Sequence, residues 1–320
     1  MAGLASLSVD LDEIRCYAAI HGQTEALGGD AARAIYAHAV PRFARLFDAL
    51  GVPATFFVIG EDLDPAVVGE AAAAANAEVL RGLHAAGHEI ANHSHHHLYD
   101  LTRRDAATWR REVRGGAALI EQAVGEAPVG FRAPGYTIHD GLFEALAELG
   151  VRYDSSVFPC PPYYGAKALA LGLYRAAAAV GRGRPSASVL DDPRVLRSPA
   201  DPYRIGRPYW NRGEGLVELP IAVTRGLRLP FIGTSVALAG ARGAAALATM
   251  MRGRPFANLE LHGIDLADAD ADGLASLRPH QPDLRRSAAE KESALRSAVG
   301  QLRAAGRRFV TLREAAETFA

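Results

Sequence analysis

The stretch that decides the fold is His88-Glu-Ile-Ala-Asn-His-Ser-His-His-His97, in which a short apolar run leads into four clustered histidines. Residues 88–91 read as a short strand, preceded by a buried strand at residues 52–59 and an alanine-rich helix over about residues 64–86. Strand, helix and strand in this order predict a parallel sheet with helical crossovers. Ligands bind at the carboxyl ends of the strands in such sheets, so the histidines lie where a functional site is expected.

The alternation of strands and helices continues along the rest of the 320 residues. It predicts seven or eight strands, nearly all followed by helices, with no internal repeat and no linker between two halves. The further strands are predicted near residues 4–11, 129–132, 151–157, 216–223 and 256–261 and after residue 308. We therefore expect one barrel-like α/β domain over residues 1–320.

Residues 158–215 interrupt this pattern, because prolines, glycines and aromatic residues are frequent there. The segment is predicted to be irregular, and long irregular segments in compact domains are usually functional. We expect it to line or cap a substrate cleft, with a passive surface excursion as the alternative.

The composition excludes several functions. Hydrophobic residues make up 49% and charged residues 22% of the chain, as in ordinary globular proteins, and the net charge is -1. No global field therefore favours nucleic acid. The two cysteines provide neither a disulfide framework nor a thiolate zinc site.

The amino terminus lacks the pattern of a signal peptide and no apolar stretch is long enough to span a bilayer. We therefore expect a cytoplasmic protein without stable membrane insertion. The oligomeric state stays open.

Two acidic residues and two histidines indicate a metal site. His93 and His97 are four positions apart, so on a helical turn or a helix-like loop both imidazoles face one side. Asp10 and Asp12 follow an apolar strand, where paired carboxylates require compensation by a cation or by hydrogen bonds. Asp12, His93 and His97 would leave a metal ion open to water or substrate, as hydrolysis requires. Zinc is the leading candidate, although iron(II), cobalt, nickel and manganese also suit these ligands.

Five motifs occur in order along the chain. They are Ser8-Val-Asp-Leu-Asp12, His93-Ser-His-His-His97, Arg132-Ala-Pro-Gly-Tyr136, the segment beginning at Asp154, and Leu259-Glu-Leu-His-Gly263. Together they resemble the motifs of the polysaccharide deacetylase family, also called the NodB-homology or fourth carbohydrate esterase family. The resemblance implies a distorted, incomplete (β/α) barrel of seven strands. It also implies metal-dependent hydrolysis of an N-acyl amide, usually N-acetyl, on an amino sugar.

The resemblance also implies residue roles. Asp12, His93 and His97 would bind the metal, and Asp10 would be the general base, held ionised and oriented by Arg132. The backbone amide of Gly135 would stabilise the oxyanion, and His262 would protonate the departing amine. His95 and His96 are expected to point away from the ion. The substrate-binding residues implied are Tyr136, Asp154, Phe158 and Leu261.

Three departures from the family pattern bear on these roles. Leu11 separates two aspartates that are adjacent in many members, so the division of base and ligand between Asp10 and Asp12 stays open. Gly135 stands where an aromatic residue often follows the proline. The acyl pocket would therefore be either wider or closed by Tyr136. The fourth motif lacks its usual tryptophan, and Phe158 is the nearest aromatic residue. Asp154 would steady His262 or Arg132, or only cap a turn.

We therefore expect a metal-dependent amidohydrolase that removes an acetyl or related acyl group from nitrogen, on a small amino sugar or glycoconjugate precursor. One alternative is hydrolysis of a non-sugar linear or cyclic amide, as in allantoinase-like or imidase-like members of the same fold. Another is a non-catalytic carbohydrate-binding protein.

Overall fold

The structure is a computed structural model that describes residues 3–22, 28–181 and 184–320. Residues 1 and 2 of the amino terminus and residues 182 and 183 of the predicted insertion lie outside the described residues. The described strands are β1 (Leu4–Asp10), β2 (Thr55–Val58), β3 (Glu89–Asn92), β4 (Gly130–Phe131), β5 (Tyr153–Asp154), β6 (Tyr203–Ile205), β7 (Arg212–Glu218), β8 (Phe256–His262) and β9 (Arg308–Phe309).

Helices follow most of these strands. The α-helices are α1 (Ile14–Ile20), α2 (Val40–Leu50), α3 (Pro65–Val68), α4 (Glu70–Ala85), α5 (Ala106–Val124), α6 (Asp140–Glu148), α7 (Pro161–Ala179), α8 (Gly233–Thr249), α9 (Ala288–Ala304) and α10 (Leu312–Phe319). A π-helix (Ile35–Ala39) leads into α2. Within the described part of the chain, no helix combines the length and apolar character needed to cross a membrane.

The strands form one curled sheet with the order β6-β7-β5-β4-β3-β2-β1-β8, and β9 pairs with β1. Every pairing is parallel except that of β6 with β7. Since β6 and β8 end the order without pairing to each other, the barrel is incomplete. The α/β class and the incomplete barrel are thus confirmed. The sheet has nine described strands, more than the seven or eight predicted from the alternation and the seven that the resemblance implied, because the antiparallel β6 was not predicted.

The alternation of side chains along β1 and β8 separates core residues from site residues. All seven residues of β1 are buried, as expected for a strand covered on both faces. Leu7, Val9, Leu259 and Leu261 belong to the main hydrophobic cluster. The register pairs Ser8 with Glu260 and Asp10 with His262. Because successive side chains alternate, these polar residues occupy the opposite face, inside the curl.

The largest apolar cluster packs α2, α8 and α9 against the sheet. Phe43 and Phe47 of α2 contact each other and continue to Phe56 of β2, with ring centroids 5.5 and 6.1 Å apart. Gly51 ends α2 in the left-handed conformation, with φ 58°, which a glycine adopts without a Cβ penalty. The helix therefore turns directly into the segment leading to β2.

The segment 158–215 is more regular than the sequence predicted. It contains α7, a helix of 19 residues, together with β6 and the start of β7. Pro161 and Pro162 are among the prolines on which that prediction rested, but they occupy the first turn of α7, where a missing N–H costs nothing. The alanine-rich sequence after them favours a helix. The expectation of an irregular segment was therefore wrong over residues 161–179.

Candidate active site

Asp12, His93 and His97 lie together in the described structure. Nε2 of His93 is 3.3 Å from Oδ1 of Asp12, and Nε2 of His97 is 3.3 Å from Oδ2 of the same carboxylate. All three residues are buried. One ligand atom from each lies within 4.8 Å of the others, which is a spacing suited to a single ion.

A tight loop after β3 brings the two histidines together. Ser94 and His97 both have positive φ, 69° and 53°, so the chain reverses within a few residues rather than forming a helical turn. The Ser94 backbone N–H donates to Oδ1 of Asn92 at 3.0 Å, and the His97 N–H donates to Oγ of Ser94 at 3.1 Å. The loop packs on Gly116 of α5, where an added Cβ would meet Oδ1 of Asn92 at 2.4 Å.

The protonation of this cluster suits metal binding. Nδ1 of His93 lies 2.8 Å from the carbonyl oxygen of Arg132, so the neutral form that donates there has its Nε2 lone pair directed to the cluster. Burial by itself would lower the pKa of His93, but Asp10 and Asp12 raise it, so a metal would have to displace a proton from this imidazole. Burial lowers the pKa of His97 to about 3, so that imidazole is neutral. Burial by itself would raise the pKa of Asp12, but His97 and His93 hold it well below its ordinary range.

The cluster also contains polar atoms that no described group satisfies. Oδ1 of Asp12 and both ring nitrogens of His97 are buried without a hydrogen-bond partner among the described residues. Unsatisfied buried polar atoms are costly and rare in proteins. Two imidazoles and a carboxylate with free ligand atoms therefore fit a divalent transition metal.

Asp10 forms a buried ion pair with Arg132. Nη1 of Arg132 donates to Oδ1 of Asp10 at 2.6 Å, while its Nη2 donates to Oγ of Ser8 at 2.9 Å and Oγ of Ser155 at 2.8 Å. The guanidinium also stacks on Phe57, with its carbon 4.1 Å from the ring centroid. Burial raises the pKa of Asp10, and Arg132 opposes that rise. Oδ2 of Asp10 has no described hydrogen-bond partner, and it lies 3.8 Å from Nε2 of His93.

His262 is paired with a carboxylate that the sequence analysis missed. Nδ1 of His262 lies 2.9 Å from Oε1 of Glu260, and its Nε2 lies 3.3 Å from the hydroxyl of Tyr136. Burial by itself would lower the pKa of His262, but Glu260 raises it well above the ordinary value. Glu260 could have been found from the sequence, because residues i and i+2 of a strand share a face.

A cavity of about 160 Å³ connects these groups. Asp10, Asp12, His93 and His262 contribute to its walls. Gly135, with φ 61°, and Tyr136, with φ 60°, form the turn after β4 that borders it. A larger cavity of about 580 Å³ lies between α2 and α4 at the opposite ends of the strands, and it contains none of the predicted site residues.

Helix α7 supplies further wall residues, Tyr163 and Lys167. The segment 158–215 therefore lines the cavity. No local pattern in the sequence distinguished Lys167 from a surface lysine, since only the packing of α7 brings it there.

Three predicted substrate-binding residues lie elsewhere. Leu261 is fully buried in the main hydrophobic cluster, because it alternates with Glu260 and His262 and points to the opposite face. Phe158 is not among the wall residues; it packs beneath Tyr136, with ring centroids 5.7 Å apart. Asp154 contacts neither His262 nor Arg132. Its carboxylate accepts hydrogen bonds from N–H and Oγ of Ser156, so it caps a turn, and burial raises its pKa to about 6.

The two inner histidines, His95 and His96, contact residues of α5. Nδ1 of His96 lies 2.7 Å from Oε1 of Glu112, and His95 packs against Gly115 of α5. These contacts agree with the expectation that both point away from the ion.

Comparison with known proteins indicates the same family as the sequence motifs do, the polysaccharide deacetylases. Residues 30–153 match the family model described as polysaccharide deacetylase. A peptidoglycan deacetylase of Helicobacter pylori is 27% identical over 168 residues, which cover 50% of this chain and 52% of that protein. The chain thus matches about half the length of this curated relative.

Solved structures share the fold over nearly the whole chain. A Mycobacterium smegmatis protein, provisionally described as a polysaccharide deacetylase, superposes with a TM-score of 0.58 at 21% identity, covering 99% of this chain and 91% of that one. The Xyl-CE4 domain of a multidomain xylanase from the hindgut metagenome of Trinervitermes trinervoides gives a TM-score of 0.50 at 14% identity, covering 99% and 91%. At these identities the two similarities concern the fold alone. The family-model match over residues 30–153 and the similarity to the curated relative agree with the resemblance to the polysaccharide deacetylase family that the motifs carry.

Proposed function

We propose that the protein is a metal-dependent hydrolase that removes an acetyl or related acyl group from the nitrogen of a small amino sugar or glycoconjugate precursor. The observation that carries the proposal is the buried Asp12–His93–His97 cluster with its unpartnered ligand atoms. Asp12 and His93 of this cluster line one cavity with Asp10, which is paired with Arg132, and with His262, which lies beside Glu260.

Asp12, His93 and His97 would hold the metal, and zinc is the leading candidate for this donor set. A divalent metal at this position supplies Lewis-acid chemistry, polarising the acyl carbonyl and lowering the pKa of water. Asp12 is already ionised and His97 already neutral, so neither has to lose a proton on binding.

Asp10 is the proposed general base. Its Oδ2 has no described hydrogen-bond partner and lies beside the ligand cluster, so it is placed to accept a proton from the attacking water. A pKa raised by burial makes a carboxylate a better base near neutral pH. Arg132 fixes the carboxylate through Oδ1 and leaves Oδ2 directed to the cavity. Asp12, which lies within 3.3 Å of both imidazoles, is better placed as the ligand.

His262 is the proposed general acid. Its raised pKa keeps the imidazole protonated, and Glu260 at Nδ1 leaves the Nε2 proton to be given to the departing amine. The leaving nitrogen must be protonated because an amide anion is too basic to depart. Tyr136 contacts Nε2 of His262 and orients it towards the cavity. The backbone amide of Gly135 is the proposed donor to the oxyanion, as the family motif implies.

The walls support a ring-shaped polar substrate. Tyr17, Tyr99, Tyr136 and Tyr163 combine aromatic faces with the charged groups described above. Aromatic walls with a few placed polar groups are typical of small-molecule sites. The size of the cavity, about 160 Å³, also favours the second candidate, a non-sugar linear or cyclic amide.

The test is hydrolysis by protein that has been stripped of metal and reconstituted with zinc, iron(II), cobalt, nickel or manganese in turn. Acetate release from N-acetylated amino sugars and ring opening of cyclic amides are measured with the same preparation, which separates the two candidate substrates. Full activity after chelation, in protein without stoichiometric metal, would contradict the proposal. Sugar binding without any hydrolysis by the reconstituted protein would favour the non-catalytic alternative.

A further inference from the structure

Lys167 of α7 places a positive charge in the wall of the catalytic cavity. Its ammonium donates one hydrogen bond to the carbonyl oxygen of Gly135 at 3.0 Å, in the turn that also carries Tyr136. Lys167 is the only lysine or arginine among the described wall residues. The ammonium also lies 6.0 Å from the ring centroid of Tyr163, one turn earlier on the same helix.

The ammonium is incompletely satisfied by the protein. It has three donors, and within the described residues its one hydrogen bond is the one to Gly135. No carboxylate of the described chain lies within the 4.0 Å of an ion pair to Lys167. The acid that influences it is Asp191, whose own pKa burial raises to about 7, so Asp191 is only partly ionised near neutral pH.

Lys167 nevertheless remains charged. Burial lowers its pKa to about 8, so most molecules carry the proton at pH 7. A withdrawn ammonium without a full counter-charge interacts more strongly with an arriving anion than a solvated surface lysine does. A neutral substrate would leave its remaining donors unsatisfied, which is unfavourable in a confined site.

We propose that Lys167 forms an anion subsite, and that the preferred substrate carries a carboxylate or phosphate group close to its N-acyl group. This inference rests on the proposed N-deacylase function and narrows its substrate class to acidic N-acyl compounds. The anion accepts hydrogen bonds from the free donors of Lys167, while the acyl group reaches Asp10, His262 and the metal ligands.

A structural role for Lys167 has to be distinguished from this one. By holding the Gly135 carbonyl, the ammonium also supports a turn in which two residues have positive φ. Loss of that support would impair every substrate alike. Loss of an anion subsite would impair acidic substrates more than neutral ones, and mainly through KM.

The experiment compares N-acetylglucosamine with two acidic relatives, N-acetylmuramic acid and N-acetylglucosamine 1-phosphate, whose anions are on positions next to the N-acetyl group. Wild-type protein, Lys167→Met and Lys167→Arg are assayed after metal loading, and Arg175→Met, an exposed cation on the same helix, is the matched control. The wild type should have a higher kcat/KM for at least one acidic substrate than for the neutral one. The acidic compound that it prefers shows whether the subsite binds a carboxylate or a phosphate. Lys167→Met should reduce the ratio of acidic to neutral kcat/KM by about 10- to 100-fold, since a charge-assisted hydrogen bond is lost. Lys167→Arg should retain part of the preference, and Arg175→Met should retain all of it.

An unchanged ratio in Lys167→Met, with or without equal losses on all three compounds, would overturn the subsite. Calorimetric binding of the same compounds to metal-loaded Asp10→Asn protein separates this failure from failure of the proposed function. Tighter binding of an acidic compound that depends on Lys167, without any turnover by the wild type, would refute the hydrolase proposal and support the subsite. Turnover by the wild type, together with binding that is the same with and without the Lys167 ammonium, would support the hydrolase proposal and refute the subsite.

Discussion

Replacing Glu260 by glutamine removes the negative charge that lies 2.9 Å from Nδ1 of His262 and keeps a side chain of the same shape. Glu260 is fully buried and the His262 side chain is 25% exposed, and the charge of Glu260 is what raises the pKa of His262. In the variant the imidazole loses a proton more readily. The fraction of protein in which His262, the proposed general acid, is protonated should therefore fall on the alkaline side of the pH range.

The size of the effect follows from the contact. A hydrogen bond to a charged group contributes about 1.5 to 3 kcal/mol, and a neutral one about 1 kcal/mol. Glutamine can keep the neutral bond, so about 0.5 to 2 kcal/mol is lost, and the middle of that range corresponds to a fall in the pKa of His262 of about 1 unit. Above the new pKa, kcat/KM should drop about tenfold relative to the wild type. Below it, where both proteins are protonated, the two should approach each other.

The assay is kcat/KM as a function of pH, which reports the ionisation of the free enzyme. Asp154→Asn is the matched control, because this buried acid contacts neither His262 nor Arg132. The fall of kcat/KM at alkaline pH should occur at the same pH in this control as in the wild type. Thermal denaturation verifies that both variants are folded. An unmoved alkaline limb in Glu260→Gln, or an equal shift in Asp154→Asn, would refute the assignment of Glu260 as the partner of His262.

Three further predictions concern the metal and the core. His97→Ala should lose bound metal, whereas Asp10→Asn should keep the metal and lose at least about 100-fold in kcat, as removal of a general base does. Metal analysis and steady-state kinetics check both variants. Loss of the metal in Asp10→Asn would mean that the proposed roles of Asp10 and Asp12 have to be exchanged. Chelation should lower the thermal midpoint, because a metal at 100 times its Kd stabilises the folded state by about 2.7 kcal/mol, and no change on chelation would mean that the cluster binds no metal. Phe56→Ala should lower the free energy of unfolding by about 3 to 5 kcal/mol, measured by denaturant titration, since the ring is fully buried against Phe47; a loss under 1 kcal/mol would show that the cavity collapses.

The ligand cluster could be predicted from sequence because each ligand follows a strand directly. β1 and β3 lie on either side of β2, so the residues after their carboxyl ends meet at one edge of the sheet. Asp12, His93 and His97 therefore needed no knowledge of long-range packing beyond a parallel sheet. The tight loop with its two positive φ values was not predictable, because neither Ser94 nor His97 is a glycine, the residue that usually marks such conformations.

Local rules in the sequence would also have predicted two features correctly, the residue beside His262 and the start of α7. Strand alternation places Glu260 beside His262 and excludes Leu261 from that face. Prolines at positions 161 and 162, followed by alanines, are typical of a helix start rather than of irregular structure.

The sequence by itself determined the parallel α/β sheet, the incomplete barrel that the motifs implied and the residues gathered at the carboxyl ends of the strands, because these depend on short-range periodicity and on contiguous motifs. Only the tertiary structure decided the destinations of Asp154, Phe158 and Lys167. Asp154 turns away from the cavity to its own turn, Phe158 supports Tyr136, and Lys167 reaches the turn at Gly135 across 32 positions of the chain. The physical reason is that these contacts depend on how α7 and the strands pack against one another, and local periodicity carries no record of that packing.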